Sequence, residues 1–347
     1  MTYINAISYY LPEKFIDNET IVKEFMDFTE KSDSPITATS LFEQCGVKRR
    51  YVSHVDETCK MLGNKAAENL FSEWKIDRAS IEYIIFVSDA LEYKGPTTAC
   101  VMQHDLQLNQ TVAAIDILHG CTGWIYGLSL ARAVIEMGLV KNVLLVTADT
   151  PTKVIHPADP DIRAIFSDAG AATFISNSQM ENGINTSIGD FTFGTDGKGE
   201  RSLYVNRSGT NDAADITWLS QHTNLPPKQL LGGRLHMDSP KIFLFAFRRV
   251  PQLVKEVLNK NRLDINEIDF FIFHQANGTM LEFLRKRMKI PKEKFIISIE
   301  HIGNTVSASI PIAMKQLVDD ERIIPGNKIL VAGFGIGFSW GATIITK

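Results

Sequence analysis

The 347-residue sequence predicts an α/β fold of two duplicated, close-packed halves, on three observations. The segment Ile76-Asp-Arg-Ala-Ser-Ile-Glu-Tyr-Ile-Ile-Phe86 aligns without gaps with Leu263-Asp-Ile-Asn-Glu-Ile-Asp-Phe-Phe-Ile-Phe273. A second block repeats behind it: Val112-Ala-Ala-Ile-Asp-Ile-Leu-His-Gly-Cys121 matches Phe295-Ile-Ile-Ser-Ile-Glu-His-Ile-Gly-Asn304, which lays Gly120-Cys121 over Gly303-Asn304. Around both blocks, apolar runs of strand length alternate with helix-compatible stretches, the pattern of βαβ units and a mostly parallel, buried sheet.

The elements follow in order. Residues 1–12 have no basic region ahead of an apolar core and read as a strand, not a secretion signal. Residues 64–74 and 251–261 are amphipathic at helical spacing, and each leads into a copy of the first repeat. Helices are expected again at 122–137 and 305–318, the latter kinked at Pro311, and each is followed by an apolar strand, at 143–147 and 329–333. The halves divide at 1–178 and 179–347. Within the second, 190–239 loses its periodicity to Gly, Ser, Thr, Asn and Pro, and is expected to be an inserted cap.

Composition removes several function classes. Apolar residues make up 44% and the net charge is −4, which excludes disorder and a general nucleic-acid-binding surface. The most apolar stretch, 115–146, is broken by Asp116, Arg132, Glu136 and Lys141, so no membrane span is expected. Cys45, Cys59, Cys100 and Cys121 are widely spaced and form no CxxC pair. That pattern suggests neither a disulfide framework nor a zinc site, and it fits a reducing cytoplasm.

Cys121 lies between an apolar strand and a helix start, in His119-Gly-Cys-Thr-Gly-Trp124. The positive end of a helix dipole there is expected to lower a thiol pKa and favour the nucleophilic thiolate, although a buried apolar role fits a lone cysteine as well. His274 ends a strand and opens His274-Gln-Ala-Asn277, at the carboxyl edge where open α/β sheets bind ligands. Asn304 is the repeat partner of Cys121. A pseudo-twofold axis between the halves would bring the two helix starts to one cavity and make Cys121, His274 and Asn304 one constellation. Gly333-Phe-Gly-Ile-Gly337 lies too near the C-terminus for a dinucleotide fold, but suits backbone N–H groups near an oxyanion. No metal or nucleotide-phosphate motif occurs, and no cofactor is expected. Arg285-Lys-Arg-Met-Lys289 is either a solvated helix end or a docking patch for an anionic partner.

Gly120-Cys-Thr-Gly-Trp124, His274-Gln-Ala-Asn277, Gly303-Asn-Thr-Val-Ser-Ala-Ser-Ile-Pro311 and Gly333-Phe-Gly-Ile-Gly-Phe-Ser-Trp-Gly341 together resemble β-ketoacyl-[acyl-carrier-protein] synthase III and its relatives in the thiolase superfamily. Lesser motifs fit in order: Gly46-Val-Lys-Arg-Arg50, Pro96-Thr-Thr-Ala-Cys100, Phe166-Ser-Asp-Ala-Gly-Ala-Ala172 and His236-Met-Asp238. The resemblance implies a thiolase-like αβαβα layering and a cytoplasmic acyltransferase. In it Cys121 takes an acyl group, His274 and Asn304 hold a malonyl thioester as it decarboxylates, and the N–H groups of Cys121 and Ile336 form the oxyanion hole. It further implies an acyl-carrier protein partner docking on Arg285, Lys286 and Arg287. A homodimer is also expected, through the strand before Cys121 and residues 96–102. The chain departs from the family at Ser40, Gln44, Thr279 and Asp159-Pro160, where coenzyme A is usually gripped, so a carrier-protein donor is favoured over coenzyme A.

Three other readings compete. An acyltransferase of the same fold would pass the acyl group from Cys121 to an alcohol or amine without condensation. Against it, decarboxylation is the step that needs both His274 and Asn304. A non-catalytic heterodimer partner would not need an intact nucleophile, and a papain-like hydrolase has a different residue order.

Overall fold

The computed structural model describes residues 1–28, 36–93, 95–205 and 234–347. In chain order the first elements are β1 (Tyr3–Tyr10), β2 (Phe15–Asp17), α1 (Asn18–Phe28), α2 (Ala38–Cys45), β3 (Arg49–Tyr51) and α3 (Cys59–Trp74). There follow β4 (Tyr83–Ser88), α4 (Thr98–Asp105), β5 (Ala113–Leu118), α5 (Gly123–Glu136), β6 (Asn142–Asp149), α6 (Pro160–Arg163) and β7 (Ala169–Ser176). The short strands β8 (Thr186–Ile188), β9 (Thr192–Thr195), β10 (Leu203–Val205) and β11 (Leu235–Met237) lead to α7 (Ser239–Lys260). Last come β12 (Phe270–Phe273), α8 (Gly278–Arg287), β13 (Phe295–Ile296), α9 (Ser309–Asp319), β14 (Lys328–Gly335) and β15 (Ser339–Thr346).

The duplication is visible in the strand order. One flank runs β5-β4-β6-β7-β1 and the other β13-β12-β14-β15-β8, joined where Tyr3 and Ile4 of β1 pair with Ser187 and Thr186 of β8. β4, β5 and β6 thus correspond to β12, β13 and β14. Three apolar clusters then define the layers. Leu128 and Ala131 of α5 meet Ala313 and Met314 of α9 between the two sheet halves, with Val87 and Leu145 on one side and Ile272 and Val331 on the other. Outside, α3 and α4 cover β4 and β6 through Ala66, Leu70 and Met102, while α7 and α8 cover β12 and β14 through Val250, Leu253 and Leu281. The result is the αβαβα layering of a thiolase-like fold.

Three expectations need correction. The sheet is parallel only at its flanks, β5-β4-β6 and β13-β12-β14; the strands between are antiparallel. β7 and β15 are buried on both faces and so read as the same unbroken apolar runs as parallel strands. Pro311 does not kink a helix, because α9 begins at Ser309 and a first-turn proline lacks an N–H that would be unpaired anyway. The helix expected from Pro251 starts at Ser239, where the Asp238 side chain accepts from the Lys241 N–H at 3.1 Å, and continues through Pro251. Of the span expected to be a cap, Thr192–Thr195 pair with β15, β10 pairs with β11, and 206–233 lie outside the described residues.

Candidate active site

Cys121 follows the edge strand β5 and precedes α5, with Thr122 as the residue before the helix and its side chain making no capping bond. Its side chain is buried against Phe166, Ile162 and Val306. Across from it runs the loop after β14. A Cβ on Gly335 would fall 2.6 Å from both Cβ and Sγ of Cys121, so only glycine allows this approach. The next residue, Ile336, directs its backbone N–H at the thiol.

The electrostatics of the thiol correct a sequence expectation. Burial pushes it up to about 12 and Asp89 and Asp149 add to the rise, while the Ile336 N–H pulls the other way. Desolvation of a thiolate at this depth outweighs the helix dipole.

His274 stands at the carboxyl end of β12, 1% exposed, with Nδ1 2.7 Å from the Ser309 hydroxyl at the start of α9. The ring of Phe334 meets it edge-on at 6.0 Å. Burial pulls the imidazole down to about 3 against a hydrogen bond with the Val306 backbone, so His274 is neutral near pH 7.

Asn304 is held through both ends of its amide. Nδ2 donates to the Ala276 carbonyl at 3.1 Å, and Oδ1 accepts from the Val306 N–H at 2.9 Å. One Nδ2 proton is left for a ligand. The turn carrying it is tight: Gly303 has φ +84°, and a Cβ there would lie 2.8 Å from the Ser167 side chain. Val306, two residues on, has φ +52°, a strained conformation for a β-branched residue.

Val306 is the common neighbour of the constellation. It bonds Asn304, its backbone reaches His274, and it packs with Cys121. The structure therefore brings Cys121, His274, Asn304 and Ile336 to one place, but not Arg285, Lys286 and Arg287. Those three lie at the far end of the ten-residue α8, about 10–14 Å along the axis from its site-facing start. Arg285 is tied to Glu282 at 2.6 Å and to the Ile290 carbonyl at 2.8 Å, and Lys286 lies 3.7 Å from the same Glu282. Lys286 is exposed, and Arg287 rests over the Phe247 ring at 4.0 Å.

Sequence reasoning missed the group that braces this site from the other half. Asp149, fully buried at the end of β6, accepts from Ser88 Oγ at 3.1 Å, the Asp89 N–H at 2.8 Å, the Ser307 N–H at 3.0 Å and the Ser307 hydroxyl. An aspartate closing an apolar strand was the only signal. Its main partner, Ser307, is distant in sequence.

Two family models match the chain: 3-oxoacyl-[acyl-carrier-protein (ACP)] synthase III over residues 115–197, and its C-terminal counterpart over 258–347. The β-ketoacyl-[acyl-carrier-protein] synthase III of Campylobacter concisus is 31% identical over 98% of this chain and 95% of its own length. That of Clostridium perfringens is 30% identical over 97% and 96%. The chain belongs to the β-ketoacyl-[acyl-carrier-protein] synthase III family. A synthase of this type from Burkholderia xenovorans LB400 matches the structure with a TM-score of 0.85 and 32% identity, covering 99% of this chain and 93% of that one. The chain is thus an enzyme of the synthase III family with the thiolase-like fold. Among its described residues no helix is long and apolar enough to cross a membrane.

Proposed function

We propose that this protein is a condensing enzyme that loads an acyl group onto Cys121 and joins it to a malonyl thioester, with acyl-carrier protein as the carrier. The observation that carries the reading is the Ile336 N–H aimed at a buried Cys121 thiol, beside a neutral histidine and an asparagine with a spare N–H.

Loading begins when the Cys121 sulfur attacks the acyl thioester carbonyl, its thiol proton passing to the departing carrier sulfur. The N–H groups of Cys121 and Ile336 hold the oxyanion, which collapses and expels the carrier thiol. With Ser309 as donor in its 2.7 Å hydrogen bond to His274 Nδ1, the ring proton sits on Nε2. That N–H, exchanging its Val306 backbone contact for substrate, and the free Asn304 N–H then hold the malonyl thioester oxygen. Carbon dioxide leaves, its bonding pair forms the enolate, and the enolate carbon attacks the acyl-Cys121 carbonyl. Collapse expels the Cys121 thiolate, which regains a proton from solvent, and releases the β-ketoacyl product. Both steps build charge on an oxygen surrounded by fixed donors in a dry pocket, where such donors act most strongly.

The carrier is argued from the surface. Thr279 donates to the Glu43 carbonyl at 3.1 Å and Asn277 to the Gln44 carbonyl at 3.3 Å, so residues that would face a coenzyme A nucleotide bond each other instead. Lys286 and Arg287 offer exposed positive charge to an acidic carrier. The edge strand β5 exposes Ile115 (37%) and Leu118 (67%), which supports a homodimer formed there. All four cysteines are free, as a reducing cytoplasm would keep them. The halves 1–178 and 179–347, with a cap insertion at about 190–239, belong to this proposal.

The test is product analysis after incubation with an acyl thioester and malonyl-acyl-carrier protein. Carbon dioxide with a β-ketoacyl product is expected. An ester or amide formed from an added alcohol or amine, without carbon dioxide, would instead mean simple acyl transfer.

A further inference from the structure

The loop that presents the Ile336 N–H closes the β14–β15 hairpin, where Gly335 pairs with Ser339 and Phe338 exchanges backbone hydrogen bonds with Asp196 at 2.7 and 2.9 Å, while Ile336 itself sits between two glycines. Gly335 and Gly337 flank the residue, Gly337 at φ +130°, and glycine leaves both sides free to rotate. A side-chain restraint reaches Ile336 itself. The Ile336 carbonyl lies 2.8 Å from the Ser339 hydroxyl, Ser339 Oγ lies 2.8 Å from Thr122 Oγ1, and Thr122 Oγ1 lies 3.0 Å from His119 Nδ1 and 3.3 Å from Nε2.

Thr122 is fully buried and Ser339 is 4% exposed, so these hydroxyls depend on each other. The direction of the chain is then fixed by elimination. A carbonyl only accepts, so Ser339 donates its one proton to Ile336. Ser339 Oγ must accept from Thr122, and Thr122 Oγ1 must accept from a ring N–H of His119. The imidazole is held in turn by stacking on Tyr126, ring centres 4.5 Å apart and planes at 27°. Burial lowers its proton affinity, leaving it one ring N–H to give. His119 and Thr122 flank Cys121, and Ser339 follows the loop, so the chain joins the nucleophile's own turn to the donor opposite.

We propose that His119, Thr122 and Ser339 form a one-way hydrogen-bond relay that fixes the Gly335–Gly337 loop, with Thr122 and Ser339 as positioning residues for the Ile336 N–H at Cys121. The relay rests on the reading of Cys121 as the acylated nucleophile. None of the three touches the reacting atoms. Their effect is to keep the Ile336 N–H pointed at the place where the oxyanion forms.

The experiment compares two reactions of the same thiol in the full-length protein. Acyl transfer builds an oxyanion. Alkylation by iodoacetamide forms a C–S bond with loss of iodide and builds none. Thr122→Val and Ser339→Ala should each lower the acyl-transfer kcat by about ten- to a hundredfold, short of or approaching the loss of an oxyanion donor, with KM within about twofold. The double variant should be little worse than either single one, because both break one chain. Alkylation of Cys121 should stay within about twofold of the parent, and Thr122→Ser and Ser339→Thr, which restore a hydroxyl, should recover most of the acyl transfer. Loss of alkylation in step with acylation, failure of the hydroxyl replacements to recover, or unchanged acyl transfer would overturn the relay. If the parent protein takes no acyl group on Cys121, the functional reading falls and the relay with it.

Discussion

Val306 gives its backbone N–H to the side-chain oxygen of Asn304 at 2.9 Å, from a left-handed φ of +52°. A β-branched residue holds that conformation only where its surroundings enforce it, at a cost of about 1–3 kcal/mol. Here the enforcing contacts are the Asp149 bonds to Ser307 and the packing of Val306 against Cys121. Residues of the two repeats thus brace one another around the site.

Replacing Asn304 by Ala should remove an enolate donor and cut carbon dioxide release from a malonyl thioester by about a hundredfold or more. Cys121 should still acylate. The Val306 N–H and Ala276 carbonyl lose their partners, so stability should fall by about 1–3 kcal/mol. Parallel assays of decarboxylation, acylation and urea unfolding check this; equal loss of both reactions would contradict the division of labour.

His274 gives stability an acid dependence of known sign. In the folded chain it stays neutral down to about pH 3, whereas unfolded it protonates near 6.5. Between those values the unfolded chain binds more protons. The contribution is therefore full above pH 6.5 and is lost as pH falls toward 3, by up to about 1.4 kcal/mol per pH unit. Urea unfolding at pH 7.5 and 5 should reveal the parent's advantage over His274→Asn shrinking by about 2 kcal/mol. A constant difference would mean that His274 is not buried neutral.

Charge reversal of Lys286 and Arg287 should slow loading from acyl-carrier protein, most at low salt, and spare a small thioester mimic. Arg285→Ala should leave the salt dependence unchanged and lower stability, since Arg285 is bound to Glu282 and Ile290. Loading rates with matched acyl groups on carrier protein and coenzyme A, at two salt concentrations, decide the matter. Equal rates without a salt effect would sink carrier docking.

The β5 edge predicts a dimer that Ile115→Glu, alone or with Leu118→Glu, dissociates. Light scattering at micromolar concentration is the measurement, and a monomeric parent protein would refute it.

How much of this was legible in the sequence varies residue by residue. Cys121 announced itself because an apolar strand, a Gly-Cys-Thr-Gly turn and a helix are all local patterns. Asn304 was found only through the repeat, which converts a distant contact into an alignment. Val306 gave no signal: its left-handed φ is imposed by tertiary contacts against its own preference. Asp149 was hidden for a related reason, as its partner Ser307 lies in the other half. The lowered thiol pKa failed because helix position is readable from sequence and depth of burial is not. Antiparallel pairing at the sheet centre was missed since β7 and β15, covered on both faces, carry no alternation.

The most direct test is peptide mapping by mass spectrometry after exposure of the intact protein to an acyl thioester, alongside Cys121→Ser and Cys100→Ser. The acyl mass should appear on Cys121, persist in Cys100→Ser and vanish in Cys121→Ser. An acyl group on any other residue, or retained by Cys121→Ser, would contradict the assignment of Cys121 as the nucleophile.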